Sequence, residues 1–146
     1  MTVYQSIISW LTEILNELKP ASFTVIDLER IPNQDEWAKE GYAISGIFSN
    51  PNDLHTPMMA GQSKHTEFKS FYLRLPFNEL NERKENEDYI EILRKKIQNR
   101  NLDGIRINDG RRWLSIEING GIYPAQKEIG MQYADYLVPL KLVYIS

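Results

Sequence analysis

Apolar residues near the N-terminus recur at spacings of three and four positions, which is the pattern of an amphipathic helix. The residues of this stripe are Tyr4, Ile7, Ile8, Leu11, Ile14, Leu15 and Leu18. A helix buries such a stripe against another element, and proline ends a helix because it lacks the amide hydrogen that the helix interior needs. The sequence therefore predicts a first helix that ends before Pro20.

Three later segments have the composition or alternation of strands. They are SFTVIDLE from Ser22 to Glu29, GYAISGIF from Gly41 to Phe48, and KSFYLRLPF from Lys69 to Phe77. Gly46 inside the second segment indicates a bulge or a close backbone approach. The third segment places Phe71, Leu73, Leu75 and Phe77 on one face. Pro76 predicts the end of this third strand.

The segment from Ser49 to Glu67 contains two prolines, one glycine and no hydrophobic periodicity. We expect a long loop here, and a long loop within a small domain is usually functional or disordered.

A second helix is predicted from Glu85 to Arg100. Its inward residues are Tyr89, Ile90, Leu93 and Ile97. Acidic residues in its first turns and basic residues in its last turns complement the helix dipole.

Two further strand signals close the chain. Asp109-Gly110 separates Ile105 and Ile107 from an alternating run, which predicts a hairpin. The alternating run is Leu114, Ile116 and Ile118. In ADYLVPLKLVYI the predicted core face is Tyr136, Val138, Leu140, Leu142 and Tyr144, and the other face is Leu137, Pro139, Lys141, Val143 and Ile145. Pro139 has no amide hydrogen to donate, so we expect an edge position or a bulge.

These elements predict one α+β domain over residues 1–146, a mainly antiparallel sheet with two amphipathic helices packed on one face. Seventeen basic and twenty acidic residues give a net charge of −3, which argues against broad attraction to phosphate backbones. The absence of cysteine excludes disulfides and thiolate metal sites. No apolar run approaches the roughly 20 residues of a membrane span, so we expect a soluble intracellular protein.

Several groups of residues invite a chemical interpretation. His55 and His65 lie beside Asp53 and Glu67, but their spacing matches no compact metal-ligand motif, and solvated loop residues explain them more simply. A magnesium-dependent nuclease can be drawn from Asp103, Asp109, Glu117 and Asn119. The lysine expected two residues after the strand glutamate is absent, and Asn119 stands there.

Basic residues offer two further interpretations. Arg106, Arg111, Arg112 and Trp113 cluster at the predicted hairpin turn, where they suit a nucleic acid or an acidic protein partner. The position of Lys95, Lys96 and Arg100 in the last helical turns needs no partner to explain it. We therefore expect no catalytic, cofactor-binding or metal-binding residues, and a protein that is not an enzyme.

The element order resembles that of the small tail terminator proteins of long-tailed bacteriophages, also described as minor capsid or tail-completion proteins of phages and prophages of Gram-positive bacteria. The segments that carry the resemblance are YLRLPFNELNERKENEDYIEILRKKIQ and YPAQKEIGMQYADYLVPLKLVYI. The resemblance covers nearly the whole chain in element order and contains no invariant signature. Pro139 in the last strand departs from the family pattern.

The resemblance implies a subunit of a hexameric ring that caps the finished tail tube and joins it to the head connector. The implied partners are further copies of the chain, the tail tube protein, and a head connector or head-completion protein, with DNA passing through the assembled ring. The implied locations are the host bacterial cytoplasm during assembly and the head–tail junction of the virion. Candidate interface residues are Leu54, His55, Met58, Met59, Arg111, Arg112, Trp113, Lys141, Val143 and Ile145. The alternatives are another small head–tail joining or baseplate component, a metal-dependent nuclease, or a nucleic-acid-binding module.

Overall fold

The computed structural model describes residues 2–18, 43–49, 53–76, 80–124 and 133–146. The helices in these ranges are α1 (Val3–Leu18) and α2 (Leu80–Leu102). The strands are β1 (Ala43–Ser49), β2 (Leu54–Pro57), β3 (Ser63–Pro76), β4 (Arg112–Ile118), β5 (Tyr123–Pro124) and β6 (Tyr133–Ile145). The predicted strand from Ser22 to Glu29, the predicted helix stop at Pro20, and Phe77 lie outside the described residues.

The described strands form one antiparallel sheet in the order β1-β3-β6-β4. The short strand β2 also pairs with β3, and β5 also pairs with β6. The two long strands β3 and β6 lie side by side at the centre, where Phe71 is opposite Val138. Two helices with an antiparallel sheet confirm the predicted α+β fold.

The hydrophobic core lies between the helices and one face of the sheet. Its buried residues are Ile7, Trp10, Leu11, Ile14 and Leu15 of α1, Ile90, Leu93 and Ile97 of α2, Phe71, Leu73 and Leu75 of β3, Ile116 of β4, Ile122 just before β5, and Ala134, Tyr136, Val138, Leu140 and Leu142 of β6. The predicted inward faces of both helices and of the last strand are thereby confirmed. Gly46 also lies within an irregularity of the β1–β3 register, between Ser45 and Phe48.

The prediction of a long loop from Ser49 to Glu67 is wrong over much of its length. Ser49 ends β1, residues 54–57 form β2, and β3 begins at Ser63, six positions before its predicted start at Lys69. Strand β2 is exposed at every position, and His65 and Glu67 of β3 take core-facing register positions with polar side chains. Because neither β2 nor residues 63–68 of β3 alternate between apolar and polar side chains, the sequence carries no period-2 signal there.

The predicted hairpin around Asp109-Gly110 is also wrong, because residues 104–111 form no strand. Ile105 and Ile107 pack against the core from irregular structure, while β4 pairs with β6. The register of that pair shifts between Trp113 and Ser115, so Leu114 is the extra residue of a bulge and is exposed. A bulge changes which positions face the core, and Trp113 takes the inward place.

Pro139 lies in the central strand β6, opposite Ser70 of β3, and the prediction of an edge or bulge position is wrong. Its carbonyl accepts a hydrogen bond of 2.9 Å from the Asn119 amide, just beyond the end of β4. The amide and carbonyl of one strand residue point toward the same neighbour. The backbone of Pro139 therefore points away from β3, toward the gap between β4 and β5. Because its absent amide hydrogen would point there too, the β3–β6 ladder loses no hydrogen bond.

Candidate functional site

The hairpin formed by β2 and β3 presents apolar side chains to solvent. Leu54 is 63% exposed, Met58 44% and Met59 91%. Its turn is closed by the Met58 amide, which donates to the Gln62 carbonyl over 2.7 Å, and it includes Ala60 in the left-handed region at φ 64°. We refer to Leu54, Met58 and Met59 as the apolar hairpin residues. All three lie on this hairpin at one end of the sheet, and large exposed apolar side chains are a feature expected of a protein interaction surface.

Few backbone groups are available on the outer edge of β2. Ser63 and Ser146 exchange two backbone hydrogen bonds, of 2.9 and 3.0 Å, so the backbone groups of Ser63 point toward β6. Alternation along an antiparallel ladder then directs Lys64 and Thr66 toward β2 and turns the backbone groups of His55 and Pro57 outward. Because Pro57 has no amide hydrogen, the side chains of this hairpin offer more to a partner than its backbone does.

A row of four aromatic rings crosses the same end of the sheet. In order across the strands, it consists of His55 of β2, His65 of β3, Tyr144 of β6 and Trp113 of β4. His65 stacks on Tyr144 with ring centroids 4.7 Å apart, and Trp113 is tilted against the other side at 5.0 Å. The two histidine rings meet edge to face at 4.6 Å. The antiparallel register brings together residues that are far apart in the sequence.

The histidine pair at the end of this row has a specific contact. Nδ1 of His55 lies against Nδ1 of His65 within hydrogen-bonding reach. Nε2 of His65 lies 2.7 Å from the hydroxyl of Ser146. His65 is therefore held by the Tyr144 ring on its face and by Ser146 at its edge, whereas His55 is exposed on β2.

Tyr144 experiences an acidic environment at the centre of the row. Burial, together with the charge and hydrogen bond of Glu67 and the charge of Asp53, raises the pKa of Tyr144 to about 12. The guanidinium carbon of Arg111 lies 5.8 Å from the centre of the Tyr144 ring and opposes this shift. The Asp53 carboxylate itself accepts the Phe68 amide over 2.9 Å, which fixes it beside β3.

Asp109 anchors the other end of the row to α1. Its fully buried carboxylate accepts the Ser6 hydroxyl at 2.7 Å, the Trp113 indole at 3.0 Å, and the backbone and guanidinium nitrogens of Arg111 at 3.1 and 2.9 Å. Burial opposes ionisation, but the donors of Ser6, Trp113 and Arg111 outweigh it and lower the pKa of Asp109. With its oxygens committed to these donors, Asp109 has a structural role and is poorly placed to hold a nuclease metal ion.

The structure divides the ten candidate interface residues among three places. Leu54, His55, Met58 and Met59 share the β2–β3 hairpin. Trp113 and Arg111 are half-buried beside the ring row. Arg112 is exposed and is opposite Ile145 in the β4–β6 register. Lys141 and Val143 are half-buried on the sheet face opposite the core, and Ile145 on that face is buried. The candidates therefore do not form a single surface.

Sequence reasoning missed the contributions of Tyr144, Ser146 and Asp109 to the ring row. The sequence pattern places Tyr144 only on the predicted core face and Asp109 only in the predicted hairpin turn. The signal that identifies them is the cross-strand register, which pairs His65 with Tyr144 and Tyr144 with Trp113. Nothing in the spacing of these residues along the chain specifies that register.

The other chemical candidates are dispersed or paired. Within the described ranges, no group of three or more histidine and carboxylate side chains is arranged to hold a metal ion. Asp103, Glu117 and Asn119 are exposed and separate from the Asp109 carboxylate network. The three basic residues predicted in the last turns of α2 form ion pairs: Lys95 with Glu91 at 3.2 Å, Lys96 with Glu17 at 2.7 Å, and Arg100 with Glu17 at 2.5 Å.

No protein-family model and no curated protein matches the chain. Neither of the described helices combines the length and apolarity required to cross a membrane.

Proposed function

We propose that this chain is a structural virion assembly protein, a ring-forming tail terminator that caps a phage tail tube and joins it to the head connector. The observation that carries the proposal is the apolar hairpin, in which Leu54, Met58 and Met59 expose apolar surface at one end of the sheet. The resemblance of the element order to tail terminators supplies the identity of the assembly. The working locations are the host bacterial cytoplasm and then the head–tail junction.

A ring requires that one patch of each subunit contact a different patch of the next, because a head-to-tail interface closes only by repeated rotation about an axis. The apolar hairpin supplies one patch. Methionine suits it because its flexible, polarisable side chain adapts to the surface it meets. The sheet face opposite the core, with half-buried Lys141 and Val143, is the candidate for the complementary patch. The remaining partners are the tail tube protein and a head-completion protein.

Assembly is tested by sedimentation velocity across a wide concentration range, for the chain alone and with polymerised tail-tube protein, followed by electron microscopy of the larger species. We expect rings that grow in population with concentration or appear on the tube ends. Met59→Lys places a charge in the apolar hairpin and is expected to reduce ring formation at least about tenfold, since a charged side chain in an interface core is costly. The subunit should remain folded because Met59 is almost fully exposed.

Leu102→Lys is the matched control, because Leu102 at the end of α2 is 78% exposed and lies outside the apolar hairpin. The control should assemble as the unmodified chain does. A chain that stays monomeric at every concentration and in the presence of tail tubes would contradict the proposal. Equal loss of assembly in both variants would show that the hairpin is not the interface. Attachment to a baseplate and not to the tube end would favour the alternative of another small phage assembly component.

A further inference from the structure

The histidine pair on the β2–β3 hairpin has the geometry of an ion-binding pair. His55 and His65 are directly opposite each other in the antiparallel register. Since Ser63 directs its backbone groups to Ser146, the alternation places His65 in a pair that exchanges no backbone hydrogen bonds with His55. Side chains of such pairs approach each other most closely, which brings the two imidazoles together.

The ring nitrogens define which atoms face each other. Nδ1 of His55 and Nδ1 of His65 are in contact, and Nε2 of His65 is 2.7 Å from the Ser146 hydroxyl. When Nε2 of neutral His65 donates its hydrogen to Ser146, its Nδ1 carries a lone pair directed at His55. A histidine that ligates a metal is normally oriented in this way, by a hydrogen bond from its other nitrogen.

We propose that His55 and His65 form a two-imidazole site for a divalent transition-metal ion of the zinc, nickel or copper class. Imidazole nitrogen is a preferred ligand of these ions. Ser146 orients the His65 ligand, and water fills the remaining coordination positions because His55 lies on the exposed strand β2. The carboxylates of Asp53 and Glu67 add negative charge at the same end of the sheet, which favours a cation.

The site requires only a small rearrangement. Zinc binds imidazole nitrogen at about 2.1 Å, so two nitrogens around a tetrahedral ion lie roughly 3.4 Å apart. The two Nδ1 atoms are closer than this, and rotation of the exposed His55 ring opens the pair. His65 stays in place through its stacking on Tyr144 and its contact with Ser146. The ion would join β2 to β3 immediately beside the apolar hairpin residues.

The spacing of the two histidines along the chain matches no compact metal-ligand motif, but the strand register places them directly opposite each other. The register makes the pair adjacent by closing a hairpin between them. The proposal does not depend on ring assembly, because both ligands belong to one subunit.

The test is calorimetric titration of the tag-free chain with zinc chloride and, separately, nickel chloride at pH 7.5. The chain has two histidines and no cysteine, so a loss of binding is assignable to these residues. We expect one ion per chain, and an affinity at least about tenfold weaker in His55→Gln and in His65→Gln. Thr56→Ala changes the exposed residue next to His55 on β2, and this variant should bind zinc as the unmodified chain does.

Long-range proton–nitrogen spectra of the imidazoles give a second readout. Zinc should shift the Nδ1 resonances of both rings, and circular dichroism should show that every variant remains folded. Binding that persists unchanged in either single histidine variant would overturn the proposal. A zinc-induced shift of only one ring would also overturn it, as would a stoichiometry of one ion for two chains. So would saturable binding by the unmodified chain no stronger than that of a variant carrying both His55→Gln and His65→Gln.

Discussion

Replacing Asp109 by alanine should destabilise the fold through the loss of one buried acceptor. The Asp109 carboxylate joins α1, through Ser6, to the start of β4, through Arg111 and Trp113. Removing one hydrogen-bond partner of a buried polar group costs about 1–3 kcal/mol, and Ser6 is a buried residue whose hydroxyl donates to Asp109. The Arg111 side chain is 22% exposed and can turn toward water, so losing its bond to Asp109 costs less free energy. We expect a total loss of about 3 kcal/mol, against a typical stability of about 5–15 kcal/mol.

Urea denaturation followed by far-ultraviolet circular dichroism measures this loss without relying on Trp113 fluorescence. About 3 kcal/mol corresponds to a fall in Tm of roughly 6–12 °C for a chain of this size. Asp103→Ala is the matched control, because Asp103 is an exposed aspartate in the same connection between α2 and β4. It should change the free energy of unfolding by less than about 0.5 kcal/mol. A loss in Asp109→Ala within 1 kcal/mol of the control would refute the anchoring role.

The same carboxylate gives a pH dependence of known sign. The pKa of Asp109 is lower in the folded chain than its ordinary value of about 3.9, so ionised Asp109 stabilises the fold. This contribution is complete above about pH 5, declines as pH falls through that ordinary value, and is gone below the folded pKa. The gap in unfolding free energy between the unmodified chain and Asp109→Asn should therefore narrow from pH 6 to pH 3. A constant gap would mean that folding leaves the pKa of Asp109 unchanged, and a gap that widens would mean that folding raises it; either result would contradict the prediction.

Three further substitutions test the sheet and its contact with α2. Leu142→Lys should unfold the chain, because it replaces a fully buried side chain worth about 1.5–3 kcal/mol by an ammonium group, whereas Val143→Lys on the opposite face should stay folded and impair assembly. Thermal melts with sizing decide, and a folded Leu142→Lys chain would show that the face assignment is wrong. Asn101→Ala should lower the free energy of unfolding by about 1–3 kcal/mol, since the Asn101 amide accepts from the Ile116 amide at 2.7 Å and donates to the Ile116 carbonyl. Urea titration measures this loss, with Gln98→Ala at an exposed position of α2 as the control.

The sequence determined the parts of the fold in which hydrophobic period and burial coincide. The stripe of α1, the inward residues of α2 and the alternation of Tyr136, Val138, Leu140, Leu142 and Tyr144 all predict the observed core. These patterns are local, because the side chains of one helix or strand are spaced by the geometry of that element alone. Each pattern could therefore be read without knowing the element's partner.

Strand pairing decided the features that the sequence pattern predicted wrongly, namely β2 with the start of β3, the core-facing residues of β4, and the position of Pro139. The sequence predicts a loop where β2 and the start of β3 lie, because β2 is exposed and the core-facing positions His65 and Glu67 of β3 are polar. The bulge at Leu114 changed which residues of β4 face the core, so alternation in the sequence no longer identifies them. Pro139 fits in the central strand β6 because the side of its backbone that lacks an amide hydrogen faces the end of β4. A strand's environment depends on which neighbour it pairs with and in which register.

The candidate site divides in the same way. Leu54, Met58 and Met59 are among the candidate interface residues that the sequence predicts. The pairing of His55 with His65 and the stacking of His65 on Tyr144 were decided by tertiary structure alone. Contacts across strands join positions distant in sequence, and the register that creates them is a property of the folded sheet.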